Sequence, residues 1–230
     1  MRHQLGSALI IVLVMLVLIA SIGTWAIKSG MLGLRLATNS QVQALLLENT
    51  NAALFNLEDP DQIARQLAGD GMYSYFNDDS NANDELVFCY RASEPTFFSM
   101  QKASVIDPQG GTTKNGVGGF CKATQFATGR SAVLSQVYLK KNVDNAAPFT
   151  LQPEGTSLGV SSNNIPMVSN NISATVISVL PSFSTATSTE IEACFRKRAS
   201  EVSTCFEQLN IPFNTQKADY IVGAKPQLIK

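Results

Sequence analysis

Side chains able to do chemistry are sparse along this 230-residue chain. The single histidine, His3, stands ahead of a long apolar stretch. The rest of the chain therefore lacks the imidazole that Ser-His-Asp or Cys-His catalysis and His-ligated metal sites require. Ser99-Met100-Gln101-Lys102 has the Ser-x-x-Lys spacing of penicillin-recognising enzymes, but no Lys-Thr-Gly follows it. The run Thr96-Phe97-Phe98-Ser99-Met100 reads as a strand, and the spacing is expected to be chance. Gly111-Thr112-Thr113-Lys114-Asn115-Gly116 has the glycine spacing of a phosphate loop, yet Val117-Gly118 stands where Lys-Ser/Thr must supply the cation and the Mg²⁺ ligand. A flexible connection is expected there.

Asp79, Asn81, Asn83 and Glu85 put oxygen-bearing side chains at alternate positions, as the opening of an EF-hand loop does for Ca²⁺. The sixth place is Asp84 instead of Gly, and the twelfth is Tyr90 instead of the bidentate Glu. A solvated turn is the better account; no metal or other cofactor is expected. Arg196-Lys197-Arg198 reads as a solvated helix end that complements the dipole, with partner docking as the alternative. No catalytic residue is assigned, and an enzyme is not expected.

The four cysteines, Cys89, Cys121, Cys194 and Cys205, all follow the apolar stretch. An even count in an exported region predicts two disulfides, for which three connectivities exist. Cys89–Cys121 with Cys194–Cys205 is preferred because sequence neighbours bridge most simply.

Charge is distributed unevenly around a net of −1. No carboxylate precedes Glu48, and Arg2 and Lys28 are the only fully charged side chains before Arg35. The remainder is mildly acidic, which gives no broad electrostatic footprint for nucleic acid, and no direct nucleic-acid binding is expected. Residues 7–27 carry no charge at all, and Leu9 to Ile19 is unbroken hydrocarbon. About 20 such residues at ~1.5 Å each span a bilayer core of ~30 Å.

Three accounts of this segment compete. A cleaved secretory signal would use Arg2, an apolar run and a mediocre site at Ser21-Ile22-Gly23, leaving a soluble binding protein that begins near Thr24. A simple uncleaved anchor fits poorly, because Lys28 and Arg35 on one side oppose Arg2 on the other. The third account starts from Gly6-Ser7. A very short basic leader that ends in Gly before a long apolar helix resembles the class III leader of type IV pilins and pseudopilins. The resemblance implies that a prepilin peptidase cuts between Gly6 and Ser7 and methylates the new terminus, leaving the apolar helix on the mature chain.

Helical spacing continues past Ile27, with Val42, Leu45, Leu46, Ala53, Leu54 and Leu57 among Asn, Gln and Ser, and with no proline before Pro60. A helix over 7–56 would be roughly 75 Å long. Its halves are apolar (7–28) and amphipathic (29–57), after a leader at 1–6 and before a head at 58–230. Arg35-Leu36-Ala37-Thr38-Asn39 followed by Ala52-Ala53-Leu54 is similar, without gaps, to the start of PilX-like minor pilins, with Thr38 in place of the usual Gly and Asn51 in place of the usual Glu.

Major pilins carry Glu at the fifth mature position, which here is Ile11. In that family the carboxylate is thought to pair with the terminal amine of a neighbour already inserted. An unpaired charge in hydrocarbon costs several kcal/mol. A subunit entering first has no earlier neighbour, so the resemblance implies a priming or tip subunit. Its implied partners are other minor pilins, the major pilin and a tip adhesin, with the inner membrane as its site before assembly and the cell-surface pilus afterwards. A tip pseudopilin of a type II secretion system is the alternative within this class.

The head is expected to be α+β: the long pilin helix packed on an antiparallel β-sheet, with a short helical C-terminal appendage. Asp59-Pro60-Asp61-Gln62 opens a short helix that Gly69 stops. Strands are expected at 86–90, 96–100, 131–139 and 172–180, separated by Gly-rich and Asn/Ser-rich connections at 110–119 and 161–171. Thr187 and Glu190 have capping-box spacing, and Ser200 is expected to cap a second helix with a Val202, Cys205, Phe206, Leu209 stripe that Pro212 ends.

Overall fold

The computed structural model describes residues 5–59, 71–76, 78–94, 99–129, 132–141 and 170–222. The chain separates into two compact units, Met1–Ala44 and Leu45–Lys230. One helix, α1 (Leu5–Leu57), contributes to both. It contains no proline, and its hydroxyl-bearing residues turn back onto their own helix: Thr38 Oγ1 donates to the Leu34 carbonyl and Ser40 Oγ to that of Ala37. Such back-bonding satisfies the hydroxyls within the helix itself.

The second unit is built on five strands, β1 (Glu85–Tyr90), β2 (Ser104–Ile106), β3 (Leu134–Lys141), β4 (Asn170–Val179) and β5 (Phe213–Val222). They lie in the order β2-β1-β3-β4-β5 with every neighbouring pair antiparallel. In the register, Phe88 opposes Val137 and Val137 opposes Val176, so these side chains share one face. All six residues of β1 are buried. An antiparallel strand shows strict alternation only when one face meets water. Here both faces are covered, which is why Leu86-Val87-Phe88-Cys89-Tyr90 reads as an unbroken β-forming run.

The C-terminal stretch of α1 covers the first face. Ala53 and Leu57 join Met72 and Phe76, around the helix α2 (Met72–Tyr75), in a cluster with Leu86, Phe88, Val105, Val137, Leu139, Ile172 and Val176. Leu46 is wholly buried as well. Each large apolar side chain so covered contributes about 1.5–3 kcal/mol. The same helix face carries one deliberate polarity. Thr50 Oγ1 lies 2.7 Å from the Leu46 carbonyl and 2.8 Å from Ser178 Oγ, which is 2.7 Å from Ser135 Oγ. All three hydroxyls are buried, so the helix can sit at this register only if they meet.

Two further helices, α3 (Ser188–Phe195) and α4 (Ala199–Gln208), cover the second face. Ile191, Cys194, Phe195, Val202 and Phe206 pack there on Val87, Ile106, Tyr138, Ile177 and Val179. The C-terminal helices are therefore a structural layer, and the chain then returns to the sheet as β5, a strand not anticipated from sequence. Thr187 and Glu190 form the capping box in full. Ser200 does not cap α4; Arg198 holds that position. The helix ends before Pro212, at Leu209 and Asn210, with Asn210 in the left-handed region at φ 51°.

Both disulfides are present, Cys89–Cys121 and Cys194–Cys205, in the preferred connectivity. The first ties β1 to the β2–β3 connection, the second joins α3 to α4. The expected helix over 59–69 falls, after Asp59, outside the described residues, as do residues 96–98 of the expected strand; Met100–Lys102 is a 3₁₀ turn. Most of 161–171 also lies outside them.

Covering the sheet on both sides buries phenols, and burial raises the pKa of all five tyrosines, Tyr73, Tyr75, Tyr90, Tyr138 and Tyr220. Carboxylate acceptors, Asp84 for Tyr75 and Glu58 for Tyr220, add to the effect. A raised folded-state pKa contributes stability that is complete below the unfolded value of ~10 and is lost as pH rises above it. Alkaline titration should therefore show less tyrosinate absorbance from native protein than from denatured protein at about pH 10, the ordinary tyrosine value. Half or more of the tyrosines ionising normally in the native state would contradict the buried two-faced sheet.

Candidate assembly surface

In the first unit every large apolar side chain from Leu9 to Ile19, then Ile22, Trp25 and Ile27, is exposed. An 18-residue window of this helix has a mean hydropathy of 2.7 with none of it buried, which makes it long and apolar enough to cross a membrane. Its polar side chains are quiet: Ser21 Oγ donates to the Val17 carbonyl and Thr24 Oγ1 to that of Ser21. Neither hydroxyl needs water, as a low-dielectric surrounding demands. Trp25 and Lys28 follow at the end of the run, the residue types favoured where hydrocarbon meets water.

Gly6 and Ser7 lie within α1. Ile11 is 59% exposed, and it is flanked by Leu9, Ile10, Val12 and Leu13. From Leu9 to Met15 a carboxylate at this position would have only uncharged apolar side chains beside it on its own helix.

In the second unit the side of α1 turned from the sheet is not uniformly polar. Phe55 is 76% exposed and Leu47 40%, while Leu46, Thr50, Ala53 and Leu57 face inward. The helical spacing of 46, 50, 53 and 57 leaves 47, 51 and 55 on the other side. The residues expected at helical spacing, Val42, Leu45, Leu46, Ala53, Leu54 and Leu57, do not include Leu47 or Phe55, and nothing in the sequence reading marked these two as an outer apolar surface. The phase of the buried set separates them.

Asn81 and Glu85, of the candidate Ca²⁺ residues, have partners of their own. Asp79 and Asn81 lie in a 3₁₀ turn, Asp79–Asn81. Asn81 donates to the Tyr75 carbonyl, and the Asn83 carbonyl accepts from Arg198. Glu85 is buried at the start of β1 and its carboxylate is already engaged. Oε1 accepts from Arg198 Nε and Nη2 at 3.2 and 3.1 Å, and Oε2 accepts from the Ala199 N–H at 2.9 Å. Among the described residues no group of three or more His, Cys, Asp or Glu side chains is placed to hold a metal.

Those contacts correct the solvated-end reading of Arg198. Its guanidinium also donates to the Pro108 carbonyl, so it bridges two connections and the start of β1. Glu85 in turn satisfies an orphan N–H of α4 and places negative charge at its positive end. The Gly-rich stretch is likewise not a loose connection. Lys114 Nζ lies 2.7 Å from the buried Asp84 Oδ2, which also accepts from Tyr75, and Asn115 donates to the Ala103 carbonyl. A Cβ on Gly119 would come within 2.3 Å of the Val87 carbonyl oxygen and 2.4 Å of the Ser104 nitrogen, so only glycine fits against the edge there. In the Ser-x-x-Lys segment, Lys102 is paired with Glu94 at 2.6 Å, a contact that lowers the Glu94 pKa.

A second buried polar set anchors α3. Gln136 accepts from the Cys121 N–H and donates to the Phe195 carbonyl, a last-turn carbonyl of α3 that also accepts from Tyr138. Adjacent Asp84-Glu85 at the head of an apolar run was the available sequence signal for such buried pairing. No protein-family model, curated protein or solved structure matches the chain.

The Glu85–Arg198 pair is the clearest energetic test of this layer. Glu85→Gln should destabilise the protein by about 3 kcal/mol, because it leaves a mostly buried guanidinium without its counter-charge. Arg198→Gln should cost a similar amount, and the double variant much less than the sum, in urea unfolding. Single effects of about 0.5 kcal/mol or less, typical of surface pairs, would contradict the role given to it.

Proposed function

We propose that this chain is a minor pilin of a type IV pilus, of the PilX-like kind, that helps to start filament assembly and is then carried at or near the tip. One observation carries the reading: an N-terminal helix with a fully exposed hydrocarbon surface, on which Ile11 stands where a shaft subunit has Glu. A surface of that kind is first soluble in the inner membrane and then in a bundle of equivalent helices, so one segment serves both states. Priming without a carboxylate avoids burying a charge that has no earlier neighbour to neutralise it.

The head supports this reading through rigidity and surface, without a reaction. Its polar clusters are consumed in holding layers together, while Phe55 and Leu47 leave apolar area on the outer side of α1 for a neighbouring helix. In this reading other minor pilins and the major pilin cover that side, and the head meets a tip adhesin. The inner membrane holds the subunit before assembly, with the head in the periplasm.

A deletion strain should lose surface pili while secretion of folded enzymes continues. Loss of secretion with normal piliation would move the assignment to a tip pseudopilin. Restoring the strain with Ile11→Glu should give a leader-cleaved subunit that appears along the shaft. Shaft incorporation no higher than that of the unaltered chain would mean that position 11 does not restrict the subunit to the tip.

A further inference from the structure

The two edges of the sheet differ. The β2 edge is three residues long and buried throughout. The β5 edge runs for ten residues and, among the described residues, pairs only with β4. A long edge presents a row of backbone donors and acceptors to any strand of matching length. Two charged side chains, Lys217 and Asp219, stand exposed at its centre on one face, with Ala218 between them on the other. Opposite them in β4 are Thr175 and Ser173, neither of which is charged.

We propose that the β5 edge pairs with the β5 edge of a second copy of this chain, antiparallel about a two-fold axis at Ala218. A two-fold axis perpendicular to the sheet keeps each face on its own side. Residues can then oppose only partners of the same parity in the chain. With the axis at Ala218, Lys217 faces the partner's Asp219 and Asp219 faces the partner's Lys217. Gln216 faces the partner's Tyr220 on the opposite face. Moving the axis one residue either way sets lysine against lysine or carboxylate against carboxylate, which is unfavourable. The strand thus carries one self-complementary register, and it lets nine of its ten residues take part. The product is a sheet continuous across two copies. It uses a surface distinct from the apolar helix and does not depend on the pilus reading.

Sedimentation of the full chain in detergent tests the pairing. The unaltered protein should form dimers. Lys217→Asp and Asp219→Lys should each weaken dimerisation at least about tenfold, since two attractive pairs become two repulsive ones. The chain carrying both exchanges should recover it. Ala218→Cys should give a covalent dimer on oxidation, while Gln208→Cys, on exposed α4 surface, should not. Retained melting temperature in the single variants shows that the fold is intact. A monomer at all concentrations, a dimer indifferent to either exchange, or no recovery in the double exchange would overturn the proposal.

Discussion

Hydrocarbon on residues 9–27 has to be kept out of water, and among the described residues nothing within its own unit covers it. At roughly 25 cal/mol for each Å² exposed, a helix of this kind cannot remain in aqueous solution by itself. The rest of the segment follows from that constraint. Its only hydroxyls, on Ser21 and Thr24, bond back to their own helix, its first cation is Lys28, and no carboxylate appears before Glu48. A surface so prepared fits lipid and fits other helices equally, which is the physical content of the assembly reading.

The second unit solves a different problem. Its inner strands are covered on both faces, so the polar groups that lie between the layers need partners there. The Thr50–Ser178–Ser135 hydroxyls fix α1 against one face, and Gln136 with Tyr138 fixes the end of α3 against the other. Glu85 and Arg198 do the same for the start of α4. These contacts explain why side chains that might have been catalytic or metal-binding are unavailable for it: Glu85, Lys102 and Lys114 each already hold a counter-charge. They also specify where each layer sits, which apolar packing alone leaves loosely determined.

Much of this architecture was legible in the residues. The long helix follows from 53 residues without proline, and β1 and β4 from β-forming runs bounded by polar connections. The α3 start was visible in Thr187 and Glu190, and the disulfides in cysteine order. Strand β5 was not legible, because an edge strand reading Phe-Asn-Thr-Gln-Lys-Ala-Asp-Tyr meets water along much of its length and carries little apolar signal. The roles of Arg198 and Lys114 were hidden for another reason. Glu85 and Asp84 lie 113 and 30 residues away from them in sequence, and local pattern does not report contacts over such distances. The stretch Asp79 to Glu85, expected as a solvated turn, departs from that at its last member for the same reason: Glu85 is buried and held by Arg198, a residue distant in sequence.

The account stands or falls on the apolar segment remaining part of the working protein. Intact mass and N-terminal sequencing of material isolated from membranes and fibres measure that directly. The predicted result is a chain that begins at Ser7 and retains every residue of the exposed helix. A soluble chain that begins near Thr24, absent from both membranes and fibres, would contradict it.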